Sequence, residues 1–391
     1  MSRKVITIII LVLVFLLSLW AFINFRYSVK ITITPGDAVI SVDGKKINKN
    51  PTVVRKSKGT HTIIATKPGY FDLNQPINVD KNLDISLALA PLPSPQVAIS
   101  SLPQFSKVAW IDSTSLVGYN SKDNRLYLVN VQVSQTTPLD TNSPALLTNL
   151  FVTNEKVVLF AKASSSAEKP VLKLYDLKTK LVSEINLLET PSSVSFSPDG
   201  SNISFLSEIG SNSSNLHIVS LSSAPVEQQQ TFPLPQRFTY SVWLDNSTLG
   251  LVTSVDAAYA NSLSLYSISN HNLQPVSVQF STLNVSRKTG KIILHGKDGL
   301  TLVSKEGKTT FIFPFQESNT TLSTWLSDEE FLLISTDNNQ AKISIINTSS
   351  GSTQQATLQV PDQIGTLVPS PAGDIYYLTP NGRLTLLPFT K

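Results

Sequence analysis

The chain of 391 residues contains no cysteine and only one methionine. Without cysteine there is no disulfide framework, zinc ribbon, iron–sulfur site or thiol nucleophile. Missing thiols suit an oxidising compartment but do not fix one. Charge is scarce as well. Only 15% of residues are charged, and 31 Lys and Arg against 27 Asp and Glu leave a net charge of +4. That is too weak a balance to suggest nucleic acid as a partner. At 41% hydrophobic, the composition is not that of a disordered chain. The motifs of common catalytic sites are missing too. There is no His-Glu-x-x-His, Gly-x-Ser-x-Gly, P-loop or dinucleotide fingerprint. The four histidines, His61, His217, His271 and His295, share no metal-ligand spacing. No cofactor, metal or catalytic residue is expected. Asp337-Asn338-Asn339 lacks the glycine and distant glutamate of a calcium loop and reads as a turn.

The N-terminus carries a long apolar run. Val5 to Phe25 holds no charge. As a helix it would be about 31 Å long, the thickness of a bilayer's hydrocarbon core. A cleaved signal peptide has a shorter apolar region ending in small residues, whereas this run ends in bulky Trp20, Phe22 and Phe25. The expectation is a single-pass signal anchor at 5–25 with a cytoplasmic tail at 1–4. Arg3 and Lys4 precede the run and Arg26 and Lys30 follow it, a small positive-inside bias toward an extracytoplasmic bulk.

Charge is divided unevenly after that. Residues 1–90 hold 12 Lys and Arg against five Asp, and residues 91–391 hold 19 against 22 acids. Lys45, Lys46, Lys49, Arg55, Lys56 and Lys58 gather in a loop-like stretch. They are candidates for contact with an anionic surface, either lipid head groups or an envelope polymer. The plainer reading is a solvated surface that keeps a small β domain soluble and its edges unpaired.

Residues 29–90 alternate as strands do. Val29, Ile31 and Ile33 alternate with polar residues, Asp43-Gly44 marks a hairpin, and Ile85, Leu87 and Leu89 form a last strand. No helical period interrupts them. The run Ile33-Thr34-Pro35-Gly36-Asp37-Ala38-Val39-Ile40-Ser41-Val42-Asp43-Gly44 resembles the opening of a PEGA domain. Gly59-Thr60-His61 and Lys67-Pro68-Gly69-Tyr70 resemble its later segments. The naming motif here reads Pro-Gly-Asp-Ala, and Asn48-Lys49-Asn50-Pro51 replaces the usual Gly-x-Thr-Pro. The resemblance implies a small β-sandwich of surface or envelope proteins, without catalytic residues. His61 is then a strand residue.

Pro91-Leu92-Pro93-Ser94-Pro95 favours stiff extended chain, so 91–96 reads as a linker. Beyond it lies a repeat. The pattern apolar–any–apolar–apolar recurs seven times, from Leu126-Tyr127-Leu128-Val129 to Leu384-Thr385-Leu386-Leu387. A second set precedes it: Trp110, Val152, Phe196, Trp243, Val285, Trp325 and Pro369. Both recur roughly every 43 residues, a blade-sized period for a β-propeller. Residues 97–391 therefore predict seven blades. The segment 97–102 is the candidate for the fourth strand of the last one. Val194-Ser195-Phe196-Ser197-Pro198-Asp199-Gly200 resembles the repeat of TolB-like propellers, which implies a topology and no activity.

The sequence thus predicts an all-β chain: a transmembrane anchor, a PEGA-like sandwich and a seven-bladed propeller. The expected function is binding or scaffolding at a bacterial cell envelope, with an envelope protein or polymer as partner. The alternative is a propeller hydrolase acting on envelope glycans or peptides. Acids lining the funnel would favour the enzyme, and a broad apolar or aromatic rim the binder.

Overall fold

The computed structural model describes residues 26–92 and 103–387, apart from 140–146, 154–155, 162–170, 188–190, 192, 210–211, 222–228, 255–259, 287, 315–320, 338–339, 360–363 and 372–373. Among the described residues no helix is long and apolar enough to cross a membrane. The predicted anchor at 5–25, the strand proposed at 97–102 and most of the Asp337–Asn339 turn lie outside them. Two compact units are present. One comprises Met1–Leu92 with Ser344–Thr357, the other Pro93–Ile343 with Leu358–Phe389.

The first unit is a sandwich of strands β1 (Tyr27–Thr34), β2 (Val39–Val42), β3 (Lys45–Ile47), β4 (Thr52–Lys56), β5 (Gly59–Thr66), β6 (Asp72–Val79) and β7 (Leu83–Ala88). One sheet has the order β4-β1-β7 and the other runs β6-β5-β2-β3. β1 and β7 are parallel, with Val29 opposite Leu83 and Ile33 opposite Leu87. The alternation read from the sequence becomes the core. Val29, Ile31 and Ile33 of β1 face Ile40 and Val42 of β2 and Ile63 and Ala65 of β5. Asp43 and Gly44 both have positive φ, 50° and 75°, which gives the β2–β3 hairpin its tight two-residue turn. Within this unit Thr353, Gln354 and Gln355 pair antiparallel with Asn74, Leu73 and Asp72 of β6.

The loop-like reading of 45–58 is corrected. Lys45 and Lys46 lie in β3, and Arg55 and Lys56 in β4. Ile47 and Val54 turn inward against the core and leave the charged neighbours outside. Charge density hid a strand whose apolar positions are only one or two residues each.

The second unit is a β-propeller. Five four-stranded antiparallel sheets follow one another, spanning 107–139, 147–186, 193–234, 240–280 and 282–314. A sixth starts at Thr321–Trp325, and among the described residues a seventh contains Thr366–Pro369, Ile375–Leu378 and Leu384–Leu387. Trp110, Phe196, Trp243, Val285, Trp325 and Pro369 each end the first strand of their blade, and Val152 lies one residue short of the end. The repeated apolar unit falls on third strands, such as Arg125–Asn130 and Ser213–Ser220. Second strands are apolar on both faces. Leu249, Leu251 and Val252, or Ile292, Ile293 and Leu294, are fully buried in succession. Each such strand lies between two neighbouring blades, so a period of two is lost there.

Neighbouring blades pack in sequence around the ring. Val117 and Leu126 of the first blade meet Val157 and Tyr175 of the second. Leu172 meets Phe205, Leu206 meets Trp243, and Leu263 meets Ile292 at the next three interfaces. Between the fifth and sixth, the Trp325 indole N–H donates to the Asn284 carbonyl at 3.4 Å. The first strands of the sixth and seventh lie side by side.

Closure joins the seventh blade to the first. Phe105, Leu116 and Val129 share a buried cluster with Val368, Tyr376, Leu378 and Leu384. The Phe105 amide donates to the Gly382 carbonyl at 3.0 Å, and the Ser106 amide to Tyr119 at 2.8 Å. Trp110 Nε1 donates to the Val368 carbonyl at 3.3 Å, with its ring 4.9 Å from that of Tyr376. Glycine makes room for this contact. A side chain at Gly118 would run into the Phe105 ring, and one at Gly382 would meet the Phe105 backbone. Phe105→Ala should therefore destabilise the propeller by about 3–5 kcal/mol, read as a lower urea midpoint. Val133→Ala, at a position 66% exposed, should leave the midpoint in place.

Candidate binding site

The first strands of the first, second, fifth, sixth and seventh blades line a common funnel. Every residue of Lys107–Trp110 and Thr321–Trp325 is half-buried, in contrast to the fully buried second strands. Such a pattern on both faces of a strand means that an open channel runs alongside it. The channel holds a cavity of about 820 Å³ within the propeller unit. Its wall includes Val108, Ala109, Trp110, Val152, Val285 and Trp325.

Charge in this wall is sparse. Lys107 and Lys288 contribute cations, and Asp328 is the one carboxylate among the described lining residues. Lys288 Nζ lies 2.7 Å from Asp328 Oδ2, so the acid is already balanced. Lys291 Nζ also donates to the Asp328 carbonyl at 3.2 Å, tying the fifth blade to the sixth. Glycoside hydrolysis requires two carboxyl groups facing one another about 5–9.5 Å apart. The described lining offers one.

A second arrangement deserves comparison with catalytic geometry. His217 Nε2 lies 2.7 Å from Ser207 Oγ, the distance of a nucleophile and its base. Both side chains are buried inside the third blade. Gln229 Nε2 donates to His217 Nδ1 at 2.8 Å, so the ring donates its Nε2 proton to Ser207 rather than withdrawing one. The ring also stacks on Phe205, with centroids 4.5 Å apart. This is a packing histidine within the strand Ser213–Ser220. His295 is equally buried. Its Nε2 is 3.1 Å from Ser323 Oγ, which itself accepts from Asn284 Nδ2 at 2.7 Å, across the interface of the fifth and sixth blades. His295 lies in the strand Ile292–Gly296, just before the turn at Lys297–Asp298.

The six basic residues of the first unit do not form one patch. Lys45 sits beside the β2–β3 turn, and Arg55, Lys56 and Lys58 at the end of β4 and the turn into β5. Lys46 is one residue further into β3, opposite Ser41. Lys49 lies at the opposite end of the sandwich. Its neighbour Asn50 accepts from the Ile33 amide at 2.9 Å and donates to the Ile33 and Gly36 carbonyls at 2.6 and 3.0 Å. This asparagine clamps the end of β1, where the sequence showed only a departure from the family pattern.

Lys56 is committed to a different task. Its Nζ lies 2.6 Å from Asp43 Oδ2, with His61 Nδ1 2.8 Å from the same oxygen. The Thr62 amide donates to Asp43 Oδ1 at 2.9 Å, and His61 Nε2 lies 2.9 Å from the Ser57 carbonyl. Partial burial works to raise the Asp43 pKa. The hydrogen bonds from Lys56, Thr62 and His61 outweigh it and hold the carboxyl well below the usual carboxylate range. Asp43 is therefore both a turn residue and the centre of a small network. Lys45, Lys46, Lys49, Arg55 and Lys58 have no ion-pair partner among the described residues.

Comparison with known proteins fits these two units. Residues 26–92 match the PEGA domain family model. No curated protein sequence matches the chain. Solved structures do resemble it. A streptogramin B lyase structure aligns at 12% identity and a TM-score of 0.54, covering 76% of this chain and 98% of that one. A chain of a mitotic checkpoint complex aligns at 10% identity and 0.54, covering 76% and 92%. A prolyl endopeptidase structure aligns at 14% identity and 0.51, over 72% of this chain and 49% of that one. At these identities the likeness concerns fold alone.

The Asp43 network gives a pH dependence with a definite sign. In an unfolded chain an aspartate titrates at about 3.9. Its folded value is lower, so the stabilisation is complete above the unfolded value and is lost as pH falls through the folded one. Asn tolerates positive φ, so Asp43→Asn keeps the turn and removes the charge. Its stability deficit against the parent chain, from urea unfolding, should be largest near neutrality and shrink below about pH 4. A deficit unchanged in acid would assign the effect to the turn.

Proposed function

We propose that this chain is a membrane-anchored, extracytoplasmic binding or scaffolding protein of a cell envelope, with the propeller funnel as its recognition surface. The observation that carries this reading is the lining of the funnel. It offers two tryptophans, short apolar side chains and little net charge in a cavity of ligand-binding size. A rigid ring holding such a concave surface suits recognition of a macromolecular segment. Trp110 and Trp325 use their indole N–H groups between blades, so their rings are held in place with no polar edge left to satisfy. Aromatic anchors of this kind dominate the energetics of interfaces. The PEGA unit acts as a spacer between the apolar segment at 5–25 and the propeller.

The hydrolase alternative has less support. Its carboxylate pair is missing from the described funnel wall, and among the described residues the Ser–His contacts of catalytic length, Ser207–His217 and Ser323–His295, both use histidines buried within the blades. The resemblance to a prolyl endopeptidase supports a shared propeller and nothing about its chemistry.

A photo-crosslinking residue placed at Ala109, in the funnel wall, should capture a specific partner in intact envelopes. The same group at Val133, exposed on the first blade, should not. Ala109→Trp, which fills the cavity, should reduce association with the captured partner at least tenfold. Turnover of envelope glycans or peptides by the purified chain, abolished by Asp328→Asn, would replace this reading with the enzyme.

A further inference from the structure

We propose that the end of the PEGA unit at which β1 begins docks on an anionic lipid surface through Arg26, Lys45, Arg55, Lys58 and Lys81. The proposal rests on the membrane-anchored reading above and adds which surface of the unit meets the bilayer. Strand pairing establishes which residues share that end. Tyr27 of β1 is opposite Lys56 and Ser28 opposite Arg55, so β4 finishes where β1 starts. Gly59, which opens β5, pairs with Val79, which closes β6. β7 begins at Leu83 opposite Val29, and the Asn82 side chain accepts from the Ser28 amide at 2.8 Å. Contacts of Asp43 with Lys56 and His61 bring the β2–β3 turn to the same place. Three turns and the chain entry therefore form one surface.

The charge on that surface is one-sided. Arg26, Lys45, Arg55, Lys58 and Lys81 are all exposed. Asp43 is neutralised by Lys56, and Asp84 by Lys30 at 2.8 Å, which leaves Asp80 as the opposing charge. At the other end Lys67 is tied to Asp37 at 2.7 Å, and Lys49 stands apart. Arg26 directly follows the 21-residue apolar run. An anchor in the bilayer would deliver the basic end, and not the Lys49 end, to the head groups. Lipid phosphate is thus favoured over a soluble anionic polymer as the occupant. Clustered basic side chains next to an anionic leaflet bind it with a strength that each charge multiplies, and salt screens the attraction.

The absence of native cysteine allows one labelled position in the full chain. A fluorophore on Ser57→Cys, in the β4–β5 turn, is read in reconstituted vesicles carrying a head-group nitroxide quencher. Quenching should be stronger with phosphatidylglycerol than with phosphatidylcholine alone, and should fall in high salt. Arg55→Glu and Lys58→Glu should each lower the docked-to-free ratio about fivefold or more. Lys49→Glu, the same charge change at the far end, should not alter it. A probe that ignores lipid charge, or an equal effect of Lys49→Glu, would overturn the docking while leaving the anchor intact. Polyphosphate binding without lipid-dependent quenching would also overturn it and point to a polymer. A chain that fails to insert into vesicles would refute the anchor and the docking together.

Discussion

The contact between the first and seventh blades is the constraint on which the rest of the propeller depends. Every other blade is joined to the next by a short connection in the chain. This interface joins residues more than 250 positions apart, with Trp110 bonded to Val368. It is made without a disulfide, because the chain has no cysteine. Phe105 supplies the apolar mass and Gly118 and Gly382 supply the room. Without it the ring has two end blades, each with an apolar face toward water. The half-exposed first strands would then no longer surround a common funnel.

Polar contacts supplement this apolar packing at particular interfaces. Ser195, Ser204 and Ser241 meet between the third and fourth blades at 2.8 to 3.4 Å. Asn284, His295 and Ser323 do so between the fifth and sixth. Buried groups of this kind must find partners, and a partner on the next blade sets the relative position of two sheets more narrowly than methyl contacts do. The funnel inherits that rigidity. Its wall is built from strands, and ligand contacts on strands are more closely positioned than those on loops.

The sequence made the repeat legible because each blade places an apolar residue at the end of its first strand and an apolar unit on its third. In the seventh blade the repeated unit Leu384-Thr385-Leu386-Leu387 is itself a strand, and Pro369 ends the strand Thr366–Pro369. Fourth strands were harder. Gln135–Leu139 and Thr309–Pro314 are largely exposed at the rim and carry little alternation. β3 and β4 were hidden by their lysines for the same reason. The funnel lining was only half legible. Trp110 and Trp325 stood out, but that Lys107, Asn284 and Asp328 converge with them depends on ring geometry that no local pattern encodes. The basic residues of the PEGA unit were visible as a group, whereas their division between two ends follows from strand direction. The Asp43 network was invisible, since Asp-Gly signals a turn whether or not a lysine and a histidine return to it.

The central claim is that closure makes the blades one cooperative ring. Native-state hydrogen exchange tests it most directly. The buried amides of Ser115–Asn120 in the first blade and Ile375–Leu378 in the seventh should open with the same free energy as those of Thr248–Thr253 in the fourth. Much weaker protection of the first and seventh blades than of the fourth would show that the ring opens at this seam, and would contradict the account.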